Sequence, residues 1–160
     1  MTLRAVVGFG ANLGDRLATM RAALGELAQV TRIEKSSRVY ATAPIGGVPQ
    51  AEFLNAATLV IHAGMPEQLL DMLLAIEVRL GRVRRQSRQK WGPRTIDLDL
   101  LWADGVSLES AHLTLPHPQL RFRAFALVPM LELVPDAADP ITRERYVVPP
   151  GDVRATTDVL

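Results

Sequence analysis

The run from Lys90 to Trp102, KWGPRTIDLDLLW, constrains the fold of this chain more than any other stretch. Past the Gly92-Pro93 turn it reads as a strand. Alternation places Asp97, Asp99 and Leu101 on one face and Ile96, Leu98 and Leu100 on the other. One face must therefore enter a core, while the other carries two carboxylates about 6–7 Å apart along the strand. At that separation their repulsion is about 0.7 kcal/mol in water and about 2–3 kcal/mol at an effective dielectric of about 20. A partly buried pair of this kind favours a bridging cation. Oxygen donors limited to two carboxylates suit Mg²⁺, which keeps waters and completes its shell from substrate phosphates.

The neighbouring charges agree with that reading. Arg79, Arg82, Arg84, Arg85, Arg88, Lys90 and Arg94 follow one another with no acid among them, and they lead directly into the carboxylate pair. A nucleoside triphosphate with its Mg²⁺ complements both features: guanidiniums take phosphate oxygens and aspartates take the metal. A D-x-D pair alone fits a solvated strand face behind a basic loop. The whole stretch, with Trp91 and the Gly92-Pro93 turn, favours the phosphate reading. Net charge over the 160 residues is only +1, so the cationic character is local and suits a small anion better than bulk nucleic acid. With no cysteine, disulfides and thiolate metal sites are excluded. No apolar run approaches membrane-spanning length and Met1-Thr2-Leu3-Arg4 does not open a signal peptide, so a cytoplasmic protein off the membrane is expected.

In chain order, Leu3 to Phe9 reads as a buried strand. Gly10 to Asp15 (GANLGD) reads as a turn, with Asp15 as N-cap of a helix to about Ala28 whose buried face is Leu17, Met20, Leu24 and Leu27. Val30 to Tyr40 reads as one strand and the proline- and glycine-rich stretch Ala41 to Gln50 as a loop. A third strand runs from Phe53 to about His62. Asn55 within it must find partners. Its amide suits either a planar heterocycle with amide-like edges or a tie to the neighbouring loop. Met65 to Leu80 is the clearest helix, opened by Pro66, closed by Gly81, with Leu69, Leu73, Ile76 and Leu80 as its stripe. Glu77 lies beside that stripe near the C-terminal end, where Arg79 and residues 82–85 can compensate it. After the Asp-bearing strand come an Asp104-Gly105 turn, a short strand near Val106 to Leu108, and the extended segment Leu113 to Pro118 flanked by His112 and His117. A helix to Leu133, irregular at Pro129, precedes a tail with a weak strand signal at Arg145 to Val148. The order β-α-β-β-α-β suggests one α+β domain over residues 1–160. It would be a ferredoxin-like sandwich with helices on one sheet face, extra strands and a short C-terminal helix.

The segment KWGPRTIDLDLL, with the Gly10-Ala11-Asn12, Thr42-x-Pro44, Phe53-Leu54-Asn55 and Leu115-Pro116-His117 segments, resembles the 6-hydroxymethyl-7,8-dihydropterin pyrophosphokinases of folate biosynthesis. The resemblance runs from Gly10 to about Pro129. It implies diphosphate transfer from ATP to the pterin hydroxymethyl with release of AMP, the hydroxyl attacking the β-phosphorus. It implies that Asp97 and Asp99 hold two Mg²⁺ ions and that Arg82 and Arg94 act with them on the phosphates. Nucleotide contacts would come from Glu77, Arg84, Arg88 or Lys90, Trp91, Leu100, His112, Thr114, His117 and Arg123. The pterin pocket would be formed by Thr42, Pro44, Ile45, Phe53, Asn55 and Phe125, the ring stacking between Phe53 and Phe125. Ala11 stands where a serine is common, Ala43 where a proline is common, Phe53 where a tyrosine is common, and His112 where some members carry arginine. The partners so implied are small molecules, with the chain a monomer.

Three other classes compete. Sheets of this kind bind RNA through paired strand aromatics. Aromatics are only 5% of this chain, and strand aspartates repel phosphate without a metal. A small-molecule sensor has no need of the cation run. A kinase passing only the terminal phosphate is the nearest rival, and the spent nucleotide separates it from a diphosphate transferase: AMP for one, ADP for the other.

Overall fold

The computed structural model describes residues 1–43, 51–81 and 95–160. Its elements are β1 (Thr2–Ala11), α1 (Arg16–Val30), β2 (Arg32–Ser36), β3 (Arg38–Thr42), β4 (Phe53–Ala63), α2 (Pro66–Arg79), β5 (Asp97–Ala103), β6 (Leu108–Glu109) and β7 (Thr114–Leu115). A 3₁₀ turn at Leu120–Phe122, α3 (Ala124–Leu133) and β8 (Val153–Val159) complete them. The large sheet has the order β5-β1-β4-β3-β8, with β2 also on β4, and every pairing is antiparallel. The class is α+β, as expected.

The helices form where their punctuation lies. Asp15 Oδ1 accepts the Ala18 N–H at 3.1 Å and caps α1. Gln68 Oε1 accepts the Met65 N–H at 2.7 Å where α2 opens on Pro66. Gly81 ends α2 at φ +92°, a value that favours glycine. Met20, Leu27, Leu69, Leu73 and Ile76 are fully buried against Leu3, Ala5, Val7 and Phe9 of β1 and Leu98 and Leu100 of β5. This is the expected face.

The other sheet face departs from expectation. It is covered by α3, so the helices are not all on one side. Val6, Ala57, Leu59, Leu101 and Trp102 project there and pack on Leu127, Met130 and Leu133. These apolar side chains would otherwise meet water. A bulge sharpens the packing: Val6 pairs with Trp102 and Val7 with Leu100, which makes Leu101 the extra residue and sends both Leu101 and Trp102 toward α3. The Trp102 indole then donates to the Ala138 carbonyl at 2.9 Å. The helix assignment of α3 continues across the buried Pro129 without a break.

Other boundaries shift for physical reasons. The strand read over Val30 to Tyr40 is divided at Ser37, whose hydroxyl enters the ladder: it accepts the Ala57 N–H at 2.9 Å and donates to the Arg38 carbonyl at 2.7 Å. Gly10 and Ala11 belong to β1 rather than to the turn, which starts at Asn12 and uses Gly14 at φ +65°. In the tail, Arg145 makes only an isolated bridge to Ala138, and the strand is β8. No helix among the described residues is long and apolar enough to cross a membrane.

Candidate active site

The register of three neighbouring strands lays out the site. Gly10 of β1 stands opposite Asp97 of β5 on one side and Asn55 of β4 on the other, while Gly8 stands opposite Asp99 and Ala57. Asp97 and Asn55 are thus two strand spacings apart, about 10 Å. Between them the sheet surface carries no side chain. Neither Gly8 nor Gly10 has a positive φ, so the backbone does not demand glycine there; the space does. A Cβ on Gly10 would lie 3.3 Å from Asn55 Oδ1 and 4.0 Å from Asp97 Cβ, and one on Gly8 would lie 2.9 Å from Leu101 Cδ1. The result is a trough with half-buried carboxylates along one wall and an amide along the other.

The trough opens into a cleft of about 540 Å³. Because β5 is the sheet edge, the cleft passes round it, from the glycine floor to Leu70, Leu74 and Glu77 of α2 and to residues 110–114. Every candidate residue that is described lines this one cleft: Thr42, Phe53, Asn55, Glu77, Asp97, Asp99, Leu100, His112, Thr114, His117, Arg123 and Phe125. Pro44, Ile45, Arg82, Arg84, Arg88, Lys90, Trp91 and Arg94 lie outside the described residues.

On the β4 side, Asn55 Nδ2 donates to Thr42 Oγ1 at 2.8 Å, and both residues are buried. Thr42 also pairs with Phe53 across the β3–β4 ladder. Of the two alternatives left by the sequence, the structure shows the loop tie: the amide nitrogen holds Thr42, while Oδ1 faces the glycine floor. Arg123, at the start of α3, places its guanidinium 5.6 Å from the centroid of the Phe125 ring.

On the edge side, Glu77 is 2% exposed and accepts the Leu98 N–H at 2.9 Å. An edge strand has outward N–H groups without a ladder partner, and this carboxylate satisfies one of them. Of the cations expected to compensate it, Arg79 pairs with Glu26 of α1, and residues 82–85 lie outside the described residues. The chain turns through a cis Leu115-Pro116 bond into His117. The His117 N–H donates to the Leu101 carbonyl at 2.8 Å, and its Nδ1 accepts the Gln119 N–H at 3.1 Å. In the neutral ring the proton therefore sits on Nε2. Burial lowers the His117 pKa from its ordinary value, Arg123 lowers it further and Asp97 opposes them. At neutral pH the ring offers a donor without a charge.

Among the described residues no group of three His, Cys, Asp or Glu converges on a metal position. The donor set present, two oxygen carboxylates facing a cleft, fits a hard divalent cation that takes its remaining oxygens from a ligand and water. The sequence reading put Gly10 in a turn rather than in the floor of the site and overlooked Gly8, Leu70 and Ser110; all four line the cleft. The Gly-Phe-Gly alternation in β1 was the available signal, since glycines two apart in a strand strip one face bare.

A family model described as 7,8-dihydro-6-hydroxymethylpterin-pyrophosphokinase (HPPK) matches residues 6–135. The chain belongs to the HPPK family. A 2-amino-4-hydroxy-6-hydroxymethyldihydropteridine pyrophosphokinase of Synechocystis sp. is 44% identical over 138 residues, covering 85% of this chain and 69% of the relative. The enzyme of that name from Methylorubrum extorquens is 42% identical over 135 residues, covering 83% of this chain and 84% of the relative. A solved Plasmodium falciparum HPPK-DHPS chain shares the fold with a TM-score of 0.68 at 13% identity, over 91% of this chain and 44% of that one. An HPPK-DHPS in complex with substrates gives 0.63 at 14%, over 83% of this chain and 40% of that one. The chain thus spans about two fifths of those solved chains. The cleft, from Gly8 to Ala126, falls wholly within the HPPK-matched stretch, whereas β8 lies beyond it.

Proposed function

We propose that this cleft binds ATP and 6-hydroxymethyl-7,8-dihydropterin together and passes a diphosphoryl group from the first to the hydroxymethyl oxygen of the second, releasing AMP. That the reaction is a pyrophosphokinase step of folate biosynthesis follows from family membership. The observation that carries the assignment of substrates to walls is the bare glycine floor between the Asp97–Asp99 wall and the Asn55–Phe53 wall. A flat ring rests on it with its amide-like edge toward Asn55 and its face against Phe53 and Phe125. The hydroxymethyl then points to the carboxylates. The slot round the β5 edge, with apolar Leu70, Leu74 and Leu100 beside Glu77 and His112, takes the nucleotide base. His117 Nε2–H and the Arg123 guanidinium meet the sugar and phosphates.

Asp97 and Asp99 would hold Mg²⁺, which when bound neutralises phosphate charge as it shifts in transfer. In the transfer itself the pterin oxygen bonds to the β-phosphorus, the α–β bridging bond breaks, and its electron pair leaves with AMP. In this reading Asp97, which shares the cross-strand row of Asn55, is the side chain that would receive the hydroxyl proton. Arg82 and Arg94 complete the phosphate contacts in this reading. The sheet order and the split of β1-α1-β2/β3-β4-α2-β5 support a ferredoxin-like core. The experiment is direct. Purified chain with Mg-ATP and the reduced pterin alcohol yields AMP and a pterin diphosphate, and Asp97→Ala or Asp99→Ala loses roughly 10³-fold or more in turnover with the fold intact. ADP as the spent nucleotide, or near-normal turnover of both variants at saturating Mg²⁺, overturns the proposal.

A further inference from the structure

The ring side of the cleft begins at Phe53, and the two residues before it are held from three directions. Asn12, just past β1 and 4% exposed, donates Nδ2 to the Ala51 carbonyl at 3.2 Å. Arg16, the first residue of α1, donates Nη1 to the Glu52 carbonyl at 2.7 Å. Arg154 of β8 pairs with the Glu52 carboxylate and is itself steadied by Asp152 at 3.2 Å. The third tie comes from a strand outside the HPPK-matched residues 6–135. That strand also aligns Val153 with Thr42 and Arg154 with Ala41, so Thr42 lies between Val153 on one side and Phe53 on the other.

Exposed ion pairs contribute little to stability. The Arg154–Glu52 pair is of that kind, yet it converges with the two backbone hydrogen bonds from Asn12 and Arg16 on one two-residue stretch. Their common effect is geometric: they set where β4 starts, and with it the placement of Phe53 and the Thr42-bonded Asn55. A ring stacked and hydrogen-bonded at once tolerates little displacement of either contact. We infer that Asn12, Arg16 and Arg154 are positioning residues for ring recognition, clamping Ala51 and Glu52 so that Phe53 and Asn55 meet the pterin in register. The inference rests on the assignment of Phe53 and Asn55 to the ring.

The test is steady-state kinetics on the full chain with Asn12→Ala, Arg154→Glu, Glu52→Arg and the double reversal Glu52→Arg with Arg154→Glu. Each single change raises KM for the pterin roughly three- to tenfold, the range of coupled neighbours. KM for ATP and kcat stay within about twofold. The double reversal brings the pterin KM back toward the parent value, and thermal midpoints of the surface variants hardly move. Unchanged pterin KM in the single variants, a parallel rise in KM for ATP, or no recovery in the double reversal each overturns the clamp. Asn55→Ala separates the two layers of the argument. If it leaves the pterin KM unchanged, the ring assignment fails and takes the clamp with it. If it raises that KM while Arg154→Glu does not, the clamp alone fails.

Discussion

At the scale of single residues, the site depends as much on missing atoms as on charged ones. Gly10 has ordinary backbone angles, so a larger residue suits the strand itself and removes the entropic cost of glycine there. It does not suit the trough, where its Cβ comes within 3.3 Å of Asn55 Oδ1. Gly10→Val is therefore expected to lower the thermal midpoint only slightly, the gain of the strand offsetting the crowding of Asn55, while kcat/KM for the pterin falls on the order of 10²-fold. A variant that lost stability and activity in proportion would show the glycine to be structural instead. His62 poses the converse case. It is 2% exposed, and neither ring nitrogen has a hydrogen-bond partner among the described residues. Burial lowers its pKa below the ordinary 6.5, with the Met65 backbone opposing. The unfolded chain thus binds a proton here before the folded one does. The stability that neutral His62 permits is present above about pH 6.5 and is lost as pH falls through the depressed folded value. His117 adds in the same direction. Chemical denaturation of His62→Leu at pH 7 and pH 5 checks this: the loss between the two should shrink relative to the parent chain. An equal or larger loss contradicts the assignment.

At the scale of elements, legibility in the sequence followed how each element reports its burial. α1 and α2 carry a cap, a proline or glycine boundary and a one-sided stripe, and the structure keeps their faces residue by residue. β5 was legible because its two faces differ in kind, carboxylate against leucine. β8 was not, because an edge strand half in water has no apolar alternation to read; Arg154, Ala155 and Thr157 are exposed. The division of β2 from β3 was equally hidden, since it depends on the Ser37 hydroxyl meeting β4 in space. The candidate site was legible where side chains carry chemistry and not where their absence does, as at Gly8 and Gly10. The placement of α3 was missed for a third reason: it is apolar nearly all round, so no stripe names its face. That gives a test at this scale. Leu127 is fully buried against Leu59, Leu101 and Trp102, and none of α1 or α2 contributes to that cluster. Leu127→Ala is expected to cost about 2–5 kcal/mol by urea denaturation. A cost below about 1 kcal/mol would mean that α3 does not seal this face.

At the scale of the molecule, the candidate cleft sits where the sheet ends, so its walls belong to both layers. Leu70, Leu74 and Glu77 come from the layer of α1 and α2, while Phe125, Arg123 and His117 come from the layer of α3 and the chain leading into it. A nucleotide bound in the cleft as proposed would bridge layers that otherwise meet through the sheet, and it would bind only the folded chain. Ligation must then raise stability, by RT ln(1 + [L]/Kd), or about 2.7 kcal/mol at a hundredfold excess over Kd. For a chain of this length that is a rise of about 5–11 °C in thermal midpoint. The carboxylate wall makes the rise conditional on metal. In the proposed arrangement Asp97 and Asp99 face the same space as the triphosphate, and without a divalent cation like charges would oppose each other across a partly desolvated cleft. ATP with EDTA should therefore shift the midpoint far less than ATP with Mg²⁺. In Asp99→Ala the difference between the two conditions should shrink, because one proposed metal ligand and one repelling charge are removed together. Thermal scans of parent and variant, with nucleotide and with or without Mg²⁺, read this without any turnover. If ATP stabilises the parent chain as much in EDTA as in Mg²⁺, the carboxylates do not face the phosphates, and the arrangement of the whole cleft must be drawn differently.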